Sequence, residues 1–192
     1  TRGIFSHDHV EYYNIPHTRI GSRRIEQRRN KMLNYTGHEK SRNLNEFAHV
    51  FFFPRNSFLY RVINEQNPEK IVVIKMRLDI SGSNNAITLK NAAASDPTFH
   101  SSSKYSDAVP ELERIKEKSE KNPFWTNDRQ YEDELLSECL VPNVIESNTF
   151  EQIHVYPRDN IRSRVLEIVS NSKRLDLKVV QDSRMFFIPG MF

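Results

Sequence analysis

The sequence has little cysteine, little glycine and no long apolar run. Its 192 residues include one cysteine, Cys139, which excludes an internal disulfide framework and is typical of proteins from a reducing compartment such as the cytoplasm. Five glycines disfavour a glycine-rich phosphate-binding loop, and no such motif is present. The longest apolar runs, such as residues 50–53, are strand-sized, far short of the roughly 18 residues that span a membrane.

Neither the net charge nor the spacing of possible metal ligands indicates a function. The 28 basic and 25 acidic side chains leave a formal charge of +3, which by itself says little about binding partners. His7 and His9 lie two residues apart without a third ligand at a suitable spacing, so the sequence predicts no metal site. The apolar fraction of 37%, with 12 Phe and 7 Tyr, is enough for one domain with an aromatic-rich core.

Hydrophobic patterns predict a mixed α+β fold, because helices and strands do not alternate regularly. Helices are predicted at residues 22–33, with Ser22 as the N-cap, and at residues 57–64, 111–121 and 161–170. Strands are predicted at residues 47–53, 70–78, 86–89, 150–156, 175–180 and 185–188. The nearly continuous apolar run at 70–78 predicts a strand buried on both faces, whereas the polar residues 34–46 and 91–107 predict loops.

A basic cluster in the first predicted helix is one functional candidate. Arg24 and Arg28 share a helix face, and Arg29 lies about 100° further round. A solvated helix face is the commoner explanation of such a pattern. The functional alternative is a clamp for the phosphates of a dinucleotide or of a nucleic-acid backbone.

An acidic segment is the second candidate. Four carboxylates lead into the apolar residues 139–142, namely Glu132, Asp133, Glu134 and Glu138. A carboxylate at the mouth of an apolar strand is partly desolvated, as a catalytic acid or base requires. Spacing alone fits a capping or solvent-facing glutamate better.

Several segments resemble, in order and spacing, the DarT-type DNA ADP-ribosyltransferases. They are residues 25–30 (IEQRRN), 46–60 (EFAHVFFFPRNSFLY), 91–95 (NAAAS) and 137–142 (SECLVP). The second is the most recognisable, since an aromatic strand runs into Pro-Arg, a Ser and then Leu-Tyr. The last resembles the strand that carries the family's catalytic glutamate. Matching elements extend over residues 20–188.

The resemblance implies a fold and an activity. The expected fold is an ADP-ribosyltransferase core of two small β-sheets packed face to face with flanking helices, in a single domain over residues 1–192. Residues 3–7 resemble the part that follows the family's first strand and helix, so both are expected before Thr1, together with the family's NAD-contacting histidine. The expected reaction consumes NAD, needs no metal, and modifies a base in single-stranded DNA, with thymidine favoured over guanosine.

The resemblance also implies partners and surroundings. It implies a monomeric toxin of the bacterial cytoplasm with no membrane partner, paired with an antitoxin that carries a DarG-like macrodomain. Two alternatives stay open. One is an ADP-ribosyltransferase of the same fold that acts on RNA or protein, and the other is a nucleic-acid-binding module without catalysis.

The resemblance assigns candidate site residues one by one. The catalytic candidates are Glu138 and Arg29. The candidates for binding NAD are Arg29, Phe51, Phe52, His7 and Asn91. The candidates for binding DNA are Arg23, Arg24, Arg28 and Arg55.

Overall fold

Short strands and short helices make up the protein. The computed structural model describes residues 3–16, 32–33, 42–78, 84–94, 97–122, 128–174 and 176–188. The strands are β1 (Gly3–Phe5), β2 (Met32–Leu33), β3 (Arg42–Asn43), β4 (Phe47–Phe51), β5 (Val72–Met76), β6 (Ala86–Thr88), β7 (Phe99–Ser101), β8 (Glu138–Pro142), β9 (Val144–Glu146), β10 (Phe150–Val155) and β11 (Lys178–Gln181). The α-helices are α1 (His7–Tyr12), α2 (Ser57–Glu65), α3 (Tyr105–Lys121), α4 (Arg129–Glu134) and α5 (Asp159–Asn171). Within these ranges, no helix combines the length and the apolar character needed to cross a membrane.

The chain divides into two compact units. The larger comprises Gly3–Phe53 and Asp79–Ile145, and the smaller contains Pro54–Leu78 and Glu146–Phe192. The larger unit holds an antiparallel sheet in the order β4-β8-β6-β7. It also holds the strand pair β2–β3 and the pairing of β1 with β9. The α+β prediction is therefore confirmed.

Strand register determines which side chains share a face of the four-stranded sheet. Residues directly opposite in an antiparallel pair point to the same face, and neighbours along a strand alternate. One row across the sheet consists of Phe51, Glu138, Thr88 and Phe99. The next row on the same face consists of His49, Leu140, Ala86 and Ser101. Glu138 is thus the one acidic side chain in these two rows.

Two apolar clusters form the core of the larger unit. The first lies beside Glu138 on the same face and contains Leu44, Phe47, Ala86, Ala92 and Leu140. The second joins the chain after β4 to α3 and α4 and contains Phe53, Leu112, Ile115, Tyr131 and Leu135. Both clusters lie in the unit that carries Glu138.

The smaller unit has its own sheet and core. β10 lies between β5, to which it is antiparallel, and β11, to which it is parallel. The apolar face of α5 packs beside β11, and the resulting cluster contains Val155, Ile161, Val169 and Val179. The parallel β10–β11 pair needs a crossover, which α5 provides.

Five predictions from sequence pattern were wrong in detail. The strand predicted at 70–78 is shorter and is not buried on both faces: β5 lies at a sheet edge, and Val72 is 43% exposed. Residues 32–33, the predicted end of the helix 22–33, form strand β2. Residues 42–43, in the predicted loop 34–46, form its partner β3. The predicted loop 91–107 contains β7 and the beginning of α3. Residues 185–187 form turns, with Phe187 at φ 54°, and Ile188 is not in a strand, so no terminal strand is present at 185–188.

Candidate active site

Glu138 is the first residue of β8, and the preceding chain holds it in position. The N-cap of α4 is Asp128, whose carboxylate accepts a hydrogen bond from the Tyr131 amide at 2.9 Å. That bond, ahead of the Lys118 ammonium, lowers the pKa of Asp128. After α4 ends, Ser137 Oγ donates to the Glu134 carbonyl at 2.6 Å. Phe52 N–H donates to the Ser137 carbonyl at 3.0 Å, which fixes the start of β8 against the end of β4.

The Glu138 carboxyl group is buried and hydrogen bonded at both oxygens. The side chain is 1% exposed. Its Oε2 lies 2.5 Å from Nδ1 of His49, and its Oε1 accepts a hydrogen bond from Ala92 N–H at 3.3 Å. His49 Nε2 lies 3.0 Å from the Leu44 carbonyl oxygen. A buried carboxyl group needs such partners, because its charged form is costly to remove from water.

A turn at residues 91–94 presents the Ala92 amide. The Asn91 side-chain oxygen accepts from Ala93 N–H at 2.8 Å, and the Asn91 carbonyl accepts from Ala94 N–H at 3.0 Å. These two bonds define an Asx-type turn, in which asparagine orders the backbone that follows it. Asn91 therefore acts on Glu138 indirectly, by orienting the next amide along the chain.

The two aromatic candidates lie in different surroundings. Phe51 is opposite Glu138 in the β4–β8 register and shares its face of the sheet. Phe52, the next residue, packs against the cluster formed with α3 and α4. The alternation of side chains along β4 thus gives only Phe51 the orientation of Glu138.

His7 lies in the same unit, near the beginning of α1. Ser6 caps this helix by accepting from His9 N–H at 3.2 Å, and α1 packs against the 3₁₀-helix Leu44–Glu46. Asp8 and Glu11 lie 3.5 and 3.9 Å from the His7 ring nitrogens. Both nitrogens are buried, and neither has a hydrogen-bond partner within the described part of the chain.

Of the five arginine candidates, only Arg55 lies within the described residues. Arg55 belongs to the smaller unit, where its guanidinium lies 5.0 Å from the ring centre of Phe187, a cation–π distance. The others lie outside the described residues: Arg23, Arg24, Arg28 and Arg29.

The acidic neighbours of Glu138 have other contacts. Glu134 is buried and bound by Arg114 at 2.8 Å and by Gln130 at 3.0 Å. The hydrogen bonds that Arg114 donates to Glu111 and then to Glu134 raise the pKa of Arg114, so this guanidinium remains charged. Glu134 is thereby part of an ion pair between α3 and α4. Among the described residues, no three His, Cys, Asp or Glu side chains lie close enough together to hold a metal ion.

The sequence of the chain also matches a known protein family. The sequence model of the family described as ssDNA thymidine ADP-ribosyltransferase, DarT, matches residues 1–187. The chain belongs to the DarT family.

Two similar DarT proteins define the fold. A DNA ADP-ribosyl transferase–DNA ADP-ribosyl glycohydrolase fusion protein of Thermosipho africanus (strain H17ap60334) is 24% identical over 191 residues, 98% of this chain. The structure of Thermosipho africanus DarTG in complex with ADP-ribose superposes with a TM-score of 0.80 at 23% identity and covers 97% of this chain. This chain spans only 46% of the length of that fusion protein.

Thermus sp. 2.9 DarT supplies the second comparison. Its complex with ADP-ribosylated ssDNA has a TM-score of 0.73 at 17% identity, over 95% of this chain and 86% of the Thermus chain. Its complex with carba-NAD+ has a TM-score of 0.68 at 15% identity, over 96% and 87% of the two chains. These similarities establish the DarT fold for this chain.

His49 is the site residue that sequence reasoning missed in this DarT chain. It interrupts the otherwise apolar stretch FAHVFFF and lies two residues before Phe51, so strand alternation points both side chains to one face. A histidine inside an apolar strand, on the face of the candidate glutamate, is the signal that could have identified it.

Proposed function

We propose that this chain transfers ADP-ribose from NAD to a base in single-stranded DNA, with thymidine favoured over guanosine. The observation that carries the proposal is the buried, doubly hydrogen-bonded Glu138 in a chain of the DarT family. The ligands in the Thermus DarT complexes, ADP-ribosylated ssDNA and carba-NAD+, support the same pair of substrates. Residues 1–192 act as a single ADP-ribosyltransferase domain in this proposal.

The reaction breaks the bond between nicotinamide and ribose C1′ and forms a bond from C1′ to a nitrogen of the base. Nicotinamide leaves with the electron pair of the broken bond, and the base nitrogen loses its hydrogen as a proton. The ribose passes through a state resembling an oxocarbenium ion. Glu138 accepts a hydrogen bond from the ribose 2′-hydroxyl and stabilises the positive charge, an interaction that is strongest in the transition state. In this proposal the same carboxylate also accepts the proton that the base nitrogen loses.

The remaining NAD contacts follow from residue chemistry. Arg29 pairs with the NAD phosphates and meets the target base, as a forked guanidinium suits phosphate oxygens. Phe51 stacks against nicotinamide, supported by its position opposite Glu138, and Phe52 is the alternative aromatic. His7 offers ring nitrogens without a hydrogen-bond partner in the described structure, which supports a ligand contact. Asn91 contributes through its turn.

Single-stranded DNA suits this chemistry because its bases are already unpaired and need no extrusion from a duplex. Arginine side chains bind the phosphate backbone, and the residues that supply them are Arg23, Arg24, Arg28 and Arg55. Thymidine is favoured by the description of the family that the chain belongs to.

A protein with this activity blocks replication of the host. We therefore place it in the bacterial cytoplasm as a monomeric toxin, paired with a macrodomain antitoxin that removes ADP-ribose from DNA. The glycohydrolase named in the Thermosipho fusion protein supports that pairing. Expression of the complete protein should slow growth, and co-expression of a DNA ADP-ribosyl glycohydrolase should restore it.

Mass spectrometry of oligonucleotides incubated with the protein and NAD tests the proposal. A single-stranded oligonucleotide whose only modifiable base is thymidine should gain one ADP-ribose, whereas its annealed duplex should not. Replacing thymidine by guanosine, or DNA by RNA, separates the alternatives. Glu132→Gln is a matched control on α4 that should keep full activity. Equal labelling of duplex and single strand, or transfer only to RNA or protein, would contradict the proposal.

A further inference from the structure

His49 is the only polar side chain of β4, and it is 10% exposed. Its two ring nitrogens make two different contacts. Nε2 lies 3.0 Å from the carbonyl oxygen of Leu44, and Nδ1 lies 2.5 Å from Oε2 of Glu138. The transfer reaction as proposed gives this histidine no part.

The contact with Leu44 fixes where one hydrogen lies. A carbonyl oxygen only accepts hydrogen bonds, so His49 Nε2 carries a hydrogen and donates it. The contact between Nδ1 and Oε2 then also contains a hydrogen, because two bare lone pairs repel at 2.5 Å. This second hydrogen lies either on Nδ1, giving an imidazolium and a carboxylate, or on Oε2, giving an imidazole and a carboxylic acid. The pair carries no net charge in both arrangements.

A neutral pair accounts for the burial of Glu138. An unpaired carboxylate is strongly disfavoured away from water, whereas a carboxyl group that shares a proton with a hydrogen-bonded imidazole is tolerated. The position of His49 in the sheet also determines the direction from which its ring approaches Glu138. It lies opposite Leu140, two residues along β8 from Glu138, and so reaches the carboxyl group diagonally on the same sheet face.

We propose that His49 is a positioning residue: it holds Glu138 through a shared proton and leaves Oε1 to meet the ribose of NAD. Oε2 is occupied by His49, whereas Oε1 has a single donor among the described residues, the Ala92 amide, and a carboxylate oxygen accepts two. The Leu44 carbonyl orients the ring, so Leu44, His49 and Glu138 form one chain of hydrogen bonds. This inference rests on the proposed role of Glu138.

Kinetics of two His49 variants test the positioning role. His49→Phe keeps the ring but removes both hydrogen bonds, and kcat should fall roughly 100-fold, the scale of losing one positioned hydrogen-bond partner in an active site. His49→Asn places an amide N–H near the former Nδ1 and should recover part of that loss. KM for NAD should stay unchanged in both variants, because the binding contacts remain. His154→Phe is the matched control. It disrupts a similar histidine–carboxylate pair in the smaller unit, His154 with Asp182 at 3.0 Å, neither of which is a candidate site residue, and it should leave kcat unchanged.

Proton NMR of the full chain labelled with ¹⁵N-histidine tests the shared proton without any substrate. A histidine N–H resonance far downfield of the amide region should be present in the parent protein and absent from His49→Asn and Glu138→Gln. Absence of transfer by the parent protein would count against the proposed function, while the NMR result stands by itself. The positioning role is overturned if the downfield resonance is missing, if His49→Phe keeps parental kcat, or if His49→Asn and His49→Phe lose activity and thermal stability in equal measure.

Discussion

Replacement of Glu138 separates chemistry from stability only when the replacement keeps the local hydrogen bonds. Glu138→Ala leaves His49 Nδ1 and the Ala92 amide without their buried partner. Each unsatisfied buried group costs about 1–3 kcal/mol, so the loss of both partners should lower the free energy of unfolding by about 2–6 kcal/mol. Proteins of this size are stable by about 5–15 kcal/mol, so the alanine variant loses a large share of its stability. Its inactivity would therefore have two causes.

Glu138→Gln avoids that ambiguity. Its amide oxygen still accepts from Ala92 N–H, and its amide N–H₂ donates to Nδ1 of a neutral His49 that remains protonated at Nε2. We expect a stability change below about 1 kcal/mol. Transfer should fall at least roughly 100-fold, because an amide, unlike the Glu138 carboxyl group, cannot become the carboxylate that stabilises the ribose in the transition state. Thermal unfolding should place the midpoint of the alanine variant roughly 5–15 °C below that of the glutamine variant. An alanine variant as stable as the parent would refute the buried contacts, and an active glutamine variant would refute the role of Glu138.

Three further predictions concern stability and reactivity. Arg114→Ala removes the ion-pair partner of the buried Glu134 carboxylate. Since Arg114 is 45% exposed, urea unfolding should show a loss of only about 1–2 kcal/mol, and the additional replacement Glu134→Gln should recover part of it. Burial raises the pKa of the Cys139 thiol from 9.0 to about 12, so iodoacetamide should label this thiol only in urea, as measured by mass spectrometry, and labelling of the native protein at neutral pH would contradict the burial. Because the thiol ionises at lower pH in the unfolded chain, its contribution to stability is complete below pH 9.0 and declines as the pH rises towards 12. Val155→Ala, in the core of the smaller unit, should lower the free energy of unfolding by about 1.5–3 kcal/mol, whereas Val72→Ala, at the exposed sheet edge, should lower it by less than about 0.5 kcal/mol. Equal losses would show that the two valines are packed equally well.

Local pattern predicted the elements that are apolar and contiguous. β4, α2, β10 and α5 were all predicted within a few residues of their observed ends, because side chains of one segment determine them. β7 was missed because the segment around Phe99 is polar, and its strand form depends on pairing with β6. β5 is half exposed despite its apolar run, because its position in the sheet, and not its composition, determines burial.

The candidate site was less accessible to pattern reasoning. Spacing alone favoured a capping or solvent-facing glutamate at position 138, and the resemblance to the DarT family changed that interpretation. The partnership with His49 joins residues 89 positions apart, and it depends on the register of β4 against β8, which no local window contains. The roles of Glu138, Phe51, His7 and Asn91 stay predictions.

The neutral His49–Glu138 pair bears on how the protein responds to ionic strength. Dissolved ions screen exposed charges, but they act weakly on a buried pair without net charge. Capture of a polyanion by arginine side chains, in contrast, releases counterions and weakens steeply as salt concentration rises. Added salt should therefore raise the KM for an oligonucleotide while kcat at saturation stays level. Salt concentration alone then distinguishes association of the strand from the chemical step, without any mutation.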